Sequence, residues 1–144
     1  GVKRRFTFLG TINNSSIYDD YAHHPTEIEA SYEIAKHIPS KKNIVIFQPH
    51  RFSRTEYLFE DFVKVLKKID VLYVLDIYAA GETPIKDINS FNLVKNIKKF
   101  NKNSYYLNSN TDIKLILKPY FKEKNNIIFM GAGSITYLAQ KLFN

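Results

Sequence analysis

The apolar residues of this 144-residue chain follow two alternating patterns. Unbroken runs at 43–48 (Asn-Ile-Val-Ile-Phe-Gln), 71–77 and 126–130 have the character of strands buried on both faces of a parallel sheet. Shorter strand-like runs lie at 16–19 and 104–107. Between the strands, apolar positions recur at helical spacing. Ile28, Tyr32, Ala35 and Ile38 mark a helix over 26–37, with Thr26 and Glu29 at capping-box spacing and Pro39 ending it. Leu58, Phe62, Val65, Leu66 and Ile69 mark one helix running from the residues after Thr55 to about Lys68. Further helices are predicted over 89–99 and 111–121, and a last one packs through Ile135, Leu138, Ala139 and Leu142. Residues 1–8 read as an edge strand or an entry segment, and 10–15 as a turn.

Strands alternating with helices at this spacing predict the α/β class: βαβ units and a mostly parallel sheet covered on both faces, within one domain over 1–144. In such sheets ligands bind beyond the carboxyl ends of the strands. The four loops with the most unusual chemistry, 20–26, 50–55, 78–82 and 131–134, each follow a predicted strand. Topology therefore brings them to one edge.

The densest of these loops is Asp19-Asp20-Tyr21-Ala22-His23-His24-Pro25-Thr26-Glu27, two carboxylates, a phenol and two imidazoles ahead of a helix. Arg51 and Arg54 lie three apart at the next helix start, a spacing that lets both point into one cavity, where the helix N-terminus favours an anion. Gly131-Ala132-Gly133 permits close approach of a ligand, and tight strand-to-helix packing explains it equally well. No G-x-x-x-x-G-K-[ST] phosphate loop occurs. A metal site from His23, His24, Asp19 or Asp20 and His50 is the weaker reading, because adjacent histidines point apart and no H-x-x-x-H pair occurs. A hydrolase reading lacks a nucleophile beside His23 or His50, since Ser53 sits where a helix cap belongs. His37 reads as a helix-end residue interacting with the dipole.

Composition narrows the classes. Hydrophobic residues make up 44% and charged ones 24%, ordinary for a globular domain. Without cysteine there is neither a disulfide framework nor thiolate zinc ligation. No apolar run nears the ~20 residues that span a bilayer, and no signal peptide opens the chain, so a cytoplasmic protein with no membrane partner is expected. The net charge of +7 admits a nucleic-acid partner, but the lysines scatter along outer helix faces, and no nucleic acid is expected. Only Arg4, Arg5, Arg51 and Arg54 are arginines, against 17 lysines. In so lysine-rich a chain, paired arginines indicate a need for the planar fork that grips carboxylate or phosphate.

Asp-Asp-Tyr-Ala-His-His-Pro-Thr-Glu, Phe-Gln-Pro-His-Arg-Phe-Ser-Arg-Thr, Asp-Ile-Tyr-Ala-Ala-Gly-Glu and Met-Gly-Ala-Gly-Ser-Ile occur in this order, and together they resemble successive motifs of the Mur ligases. The likeness spans essentially the whole chain, and Gly-Val-Lys-Arg-Arg-Phe resembles the passage from central to C-terminal domain. It implies a Rossmann-like C-terminal domain excised from a longer enzyme, whose own N-terminal and central ATPase domains, absent from this chain, are its partners. The reaction implied is ATP-dependent amide ligation in peptidoglycan synthesis. ATP phosphorylates the lactyl carboxylate of UDP-N-acetylmuramate, and L-alanine attacks the acyl phosphate. Arg5 and Asp20 match positions that contact ATP; Tyr21, His23, Arg51 and Arg54 match positions near the L-alanine and lactyl end. His24, His50, Ala80, Gly81 and Glu82 are further candidates in the same loops. Mg2+ belongs chiefly to the central domain, so this chain alone is expected to be inactive and to hold no metal. A stand-alone nucleotide- or amino-acid-binding module and a basic nucleic-acid binder are the alternatives.

Overall fold

In a computed structural model, residues 5–144 are described. Arg4, and half of the segment read as edge strand or entry over 1–8, lie outside the described residues. The elements run β1 (Thr7–Ile12), β2 (Ser15–Asp20), α1 (Pro25–Lys36), β3 (Asn43–Phe47), α2 (Phe52–Tyr57), α3 (Phe59–Leu66), β4 (Val71–Leu75), α4 (Ser90–Ile97), β5 (Ser104–Leu107), α5 (Ile113–Leu117), a 3-10 turn (Lys118–Tyr120), β6 (Asn126–Met130) and α6 (Ile135–Lys141).

The strands form one sheet in the order β1-β2-β6-β3-β4-β5. Only β1 pairs antiparallel; β2–β6, β6–β3, β3–β4 and β4–β5 are parallel, as the alternating pattern predicts. Every residue of β3, β4 and β6 is buried, because helices cover both faces. Val45, Phe47, Leu72, Val74, Ile128 and Met130 point toward α1, α3 and α4. Ile44, Ile46, Tyr73, Ile127 and Phe129 point toward α5 and α6. Period-two alternation within each strand thus divides one apolar run between two cores.

The structure corrects four local readings. The turn placed at 10–15 is confined to Asn13 and Asn14, because β1 extends to Ile12 by pairing with β2, with a register shift between Phe8 and Gly10. The helix read as continuous to Lys68 breaks at Leu58, whose φ of −108° and ψ of 20° separate α2 from α3. The helix placed over 111–121 shortens to α5 and tightens into the 3-10 turn around Pro119, which has no N–H to continue the ladder. The cap of α1 is His24 with Glu27, not Thr26 with Glu29.

The core is densest where Phe62 of α3 meets Phe47 of β3, ring centroids 5.7 Å apart, both fully buried. Phe62→Ala is expected to cost about 3–5 kcal/mol by leaving a cavity between α3 and the sheet. Urea unfolding monitored by circular dichroism checks this.

Candidate functional site

Parallel pairing aligns the ends of β2, β6, β3 and β4, and the four loops do meet at that edge. At the end of β2, Asp20 is 1% exposed. Its Oδ1 accepts the Ala22 N–H at 2.7 Å, and its Oδ2 accepts the Phe6 N–H at 2.8 Å and the Ser31 hydroxyl at 2.9 Å. Asp20 therefore ties the approach to β1, the end of β2 and α1 together. Arg5, exposed, joins Asp20 and Glu27 in lining a shallow cleft of about 330 Å³. The two positions expected on the nucleotide side thus share one hollow, yet only the arginine is exposed there.

The two histidines diverge. His24 Nδ1 accepts the Thr26 N–H at 3.3 Å, and Glu27 Oε1 accepts the N–H groups of His24 and His23 at 3.1 and 3.3 Å. Burial pushes the Glu27 carboxyl up, but these two N–H bonds and the nearby charges of His23 and Arg5 outweigh it and hold it below the usual range. His24 is therefore a helix cap. His23 does not cap: its Nδ1 lies 3.0 Å from Tyr21 O and 3.4 Å from Glu27 Oε1. A carbonyl only accepts, so in the bond to Tyr21 O Nδ1 carries the proton, which leaves Nε2 as the ring nitrogen that can turn to a ligand.

From His23 a row of rings crosses the edge. Tyr21 meets it edge-on at 5.1 Å, His50 lies 5.9 Å beyond, and Tyr78 stacks on His50 at 5.3 Å and 17°. His50 Nδ1 is buried with no hydrogen-bond partner among the described residues. Burial is the main reason His50 resists protonation, and the positive charges of His23, Arg54 and Arg51 add to it against Glu82.

The arginines stand on the adjoining loops. Tyr78 N–H donates to Pro49 O at 2.9 Å, and Arg51 N–H donates to Tyr78 O at 2.8 Å. This extends the β3–β4 ladder past the strands, with His50 and Tyr78 as its last rung. Arg51 caps α2 with φ 77° and ψ 141°, a left-handed backbone rare for a side chain of this size. Its carbonyl is held by the Thr55 hydroxyl at 2.8 Å. Arg51 is exposed, whereas Arg54 is half-buried and donates from Nη1 to His50 O at 3.1 Å. Arg54 thus reaches back to the His50 backbone, and the charges of both arginines act on the His50 ring. The α2 N-terminus is not an open anion site: Glu82 Oε1 accepts the Ser53 N–H at 3.1 Å, and Glu82 Oε2 accepts the Ser53 hydroxyl. Ser53 is thus a partner of Glu82, and Arg51 holds the cap position the sequence assigned to it. Ala80 (φ 50°) and Gly81 (φ 87°) make the left-handed turn that brings Glu82 back.

For the glycine loop the packing reading prevails. A Cβ on Gly133 would lie 2.6 Å from Tyr78 Cγ and 2.9 Å from Gln48 Oε1. Gln48 holds the start of α6, accepting the Ile135 N–H at 3.2 Å and donating to Ser134 Oγ at 3.1 Å. Sequence reasoning passed over Gln48 and left Tyr78 without a role. The available signal was a polar residue closing an otherwise apolar strand. Asp19 accepts the Thr136 hydroxyl at 2.7 Å and His24 caps α1, so the proposed metal set does not assemble. Among the described residues no group of three or more His, Asp or Glu is arranged to hold a metal ion, and no helix is long and apolar enough to cross a membrane.

A strand-end cluster of histidines and arginines on a Rossmann-like sheet defines a class, and sequence comparison agrees with it. The chain belongs to the Mur ligase family, whose "Mur ligase, glutamate ligase domain" matches residues 4–133. Among its relatives, the UDP-N-acetylmuramate–L-alanine ligase of Rickettsia africae is 47% identical over 99% of this chain and 30% of that protein. Among solved structures, the UDP-N-acetylmuramate–alanine ligase of Thermotoga maritima has a TM-score of 0.73 at 28% identity, over 99% of this chain and 30% of that one. Escherichia coli FolC, solved in complex with ADP, shares the fold alone: TM-score 0.67 at 14% identity, over 99% of this chain and 31% of that one. The chain thus spans about 30% of the length of the curated relatives it matches.

Gly133→Ala is expected to displace Tyr78 from His50 and lower stability by about 1–3 kcal/mol, as overpacking does; thermal unfolding measures it. A second expectation concerns pH. Folded His50 binds its proton less readily than the unfolded chain, whose ordinary value is 6.5. The unfolded state therefore gains as pH falls below 6.5, and stability drops. Thermal midpoints between pH 7.5 and 5.5 should fall more steeply for the wild-type chain than for His50→Gln.

Proposed function

We propose that this chain works as the C-terminal, amino-acid-binding domain of an ATP-dependent ligase joining L-alanine to the lactyl carboxylate of UDP-N-acetylmuramate, a cytoplasmic step of peptidoglycan synthesis. One observation carries the reading: His23, His50, Arg51 and Arg54 come from two separate loops yet adjoin one another at a single strand-end edge, in a chain 47% identical to a ligase of that name.

The chemistry suits this arrangement. Arg51 and Arg54 offer guanidinium forks for the carboxylate of the incoming amino acid. With that end held, the amine is free to attack. With its Nδ1–H bonded to Tyr21 O, the neutral His23 ring offers the Nε2 lone pair as a hydrogen-bond acceptor for the amine. The γ-phosphoryl group passes from ATP to the lactyl carboxylate, giving ADP and an acyl phosphate. The amine nitrogen then bonds to the acyl carbon, and phosphate leaves. Arg5 faces the cleft it shares with Asp20 and fits a phosphate of the nucleotide. Asp20, whose oxygens already accept three protein hydrogen bonds, supports that cleft from within. Mg2+, held mainly by the central domain of the full ligase, would neutralise phosphate charge.

The reading is tested in a full-length ligase carrying this domain. Phosphate release should require ATP, UDP-N-acetylmuramate and L-alanine together, and the isolated chain should release none. Arg54→Lys, which keeps the charge but loses the fork, should raise KM for L-alanine about tenfold, the equivalent of roughly 1.4 kcal/mol. Turnover without L-alanine dependence, or full activity in the isolated chain, would contradict it.

A further inference from the structure

The turn after β4 is bound to the start of α2 more extensively than a surface connection requires. The two backbone bonds between Tyr78 and the Pro49–Arg51 segment form one link. Beyond them, Ala80 and Gly81 adopt left-handed backbone, Glu82 N–H donates to Ala79 O at 3.0 Å, and the Glu82 carboxylate reaches back to Ser53. One oxygen takes the Ser53 N–H at 3.1 Å and the other takes its hydroxyl. Ser53 is the second residue of α2, between Arg51 and Arg54 in the chain. Ala80 carries a conformation that a side chain disfavours, and that conformation delivers Glu82 to this point.

Three features separate this contact from an incidental surface bond. Both carboxylate oxygens turn back onto Ser53, one to its N–H and one to its hydroxyl, so the side chain is oriented by the start of α2. The bond crosses from one strand-end loop to the next, where a shift in either moves the arginines. The anion sits among cations: the charge of Arg51 acts on Glu82, and that of Glu82 acts on His50.

We infer that Glu82 is a positioning residue for the arginine pair, holding Ser53 so that the first turn of α2 sets the directions in which Arg51 and Arg54 leave the backbone. The inference rests on the reading of those arginines as the carboxylate site. Glu82 touches no substrate; it acts through Ser53.

The test is steady-state kinetics in a full-length ligase carrying this domain, with KM measured separately for L-alanine, ATP and UDP-N-acetylmuramate. Glu82→Ala should raise KM for L-alanine about tenfold while KM for ATP and the thermal midpoint stay near wild type. Glu82→Gln should recover most of the loss, because its amide oxygen still accepts the Ser53 N–H. Ser53→Ala combined with Glu82→Ala should be no worse than Glu82→Ala alone, since both break one contact. If Glu82→Gln is as damaging as Glu82→Ala, the charge itself meets substrate and the positioning role is wrong. If all three KM values rise together with a lowered midpoint, Glu82 is only structural. Arg54→Lys serves as the control. A raised KM there with a silent Glu82→Ala overturns this inference alone, whereas an unchanged KM for L-alanine overturns the arginine reading and this inference with it.

Discussion

The pair of backbone hydrogen bonds that joins Tyr78 to Pro49 and Arg51 decides how this edge is built. It resumes the parallel β3–β4 pairing three residues beyond the strands, with the register slipped by one residue. Together with the Glu82–Ser53 contact it joins the loops after β3 and β4, with Arg51 held at φ 77°. With it, Tyr78 is fixed over His50, His50 is held beside His23, and Gly133 becomes the place where the glycine loop can close on the Tyr78 ring. A parallel sheet supplies this because all its strands deliver their loops to the same end.

The charges at that edge divide by role. Asp20, Glu27 and Glu82 all accept backbone N–H groups: Asp20 at the end of β2, Glu27 at the start of α1, Glu82 at the start of α2. The acidic side chains therefore hold the frame. Arg5 and Arg51 remain exposed, and Arg54 is half-buried. The result is an edge whose anions are bound within the protein and whose cations face outward. That balance suits ligands carrying carboxylate and phosphate, and the short distances involved make it local rather than a consequence of the overall charge of +7.

Much of this was legible in the letters. Continuous apolar runs announced β3, β4 and β6, because a strand covered on both faces has no polar side to alternate with. The helices followed from spacing, and the convergence of four loops followed from each one coming directly after a strand of a mostly parallel sheet. Where the reading slipped, spacing alone did not separate neighbouring choices of cap or reveal a local break. Thr26 looked like the cap of α1 by spacing, yet His24 took the place. The helix after Thr55 looked continuous because Leu58, Phe62 and Val65 keep one apolar stripe through the break, so periodicity could not reveal it.

The amino-acid pattern by itself thus determined the class of sheet, the apolar stripes and runs that build its core, and the set of loops that carry chemistry, since hydrophobic period and turn composition are local properties. Only the tertiary structure decided which polar groups in those loops are occupied. Glu82 and Ser53 are 29 residues apart, and Gln48 and Ser134 are 86 apart. A carboxylate is spoken for or free according to which distant N–H the fold brings within about 3 Å, and no spacing rule along the chain encodes that distance.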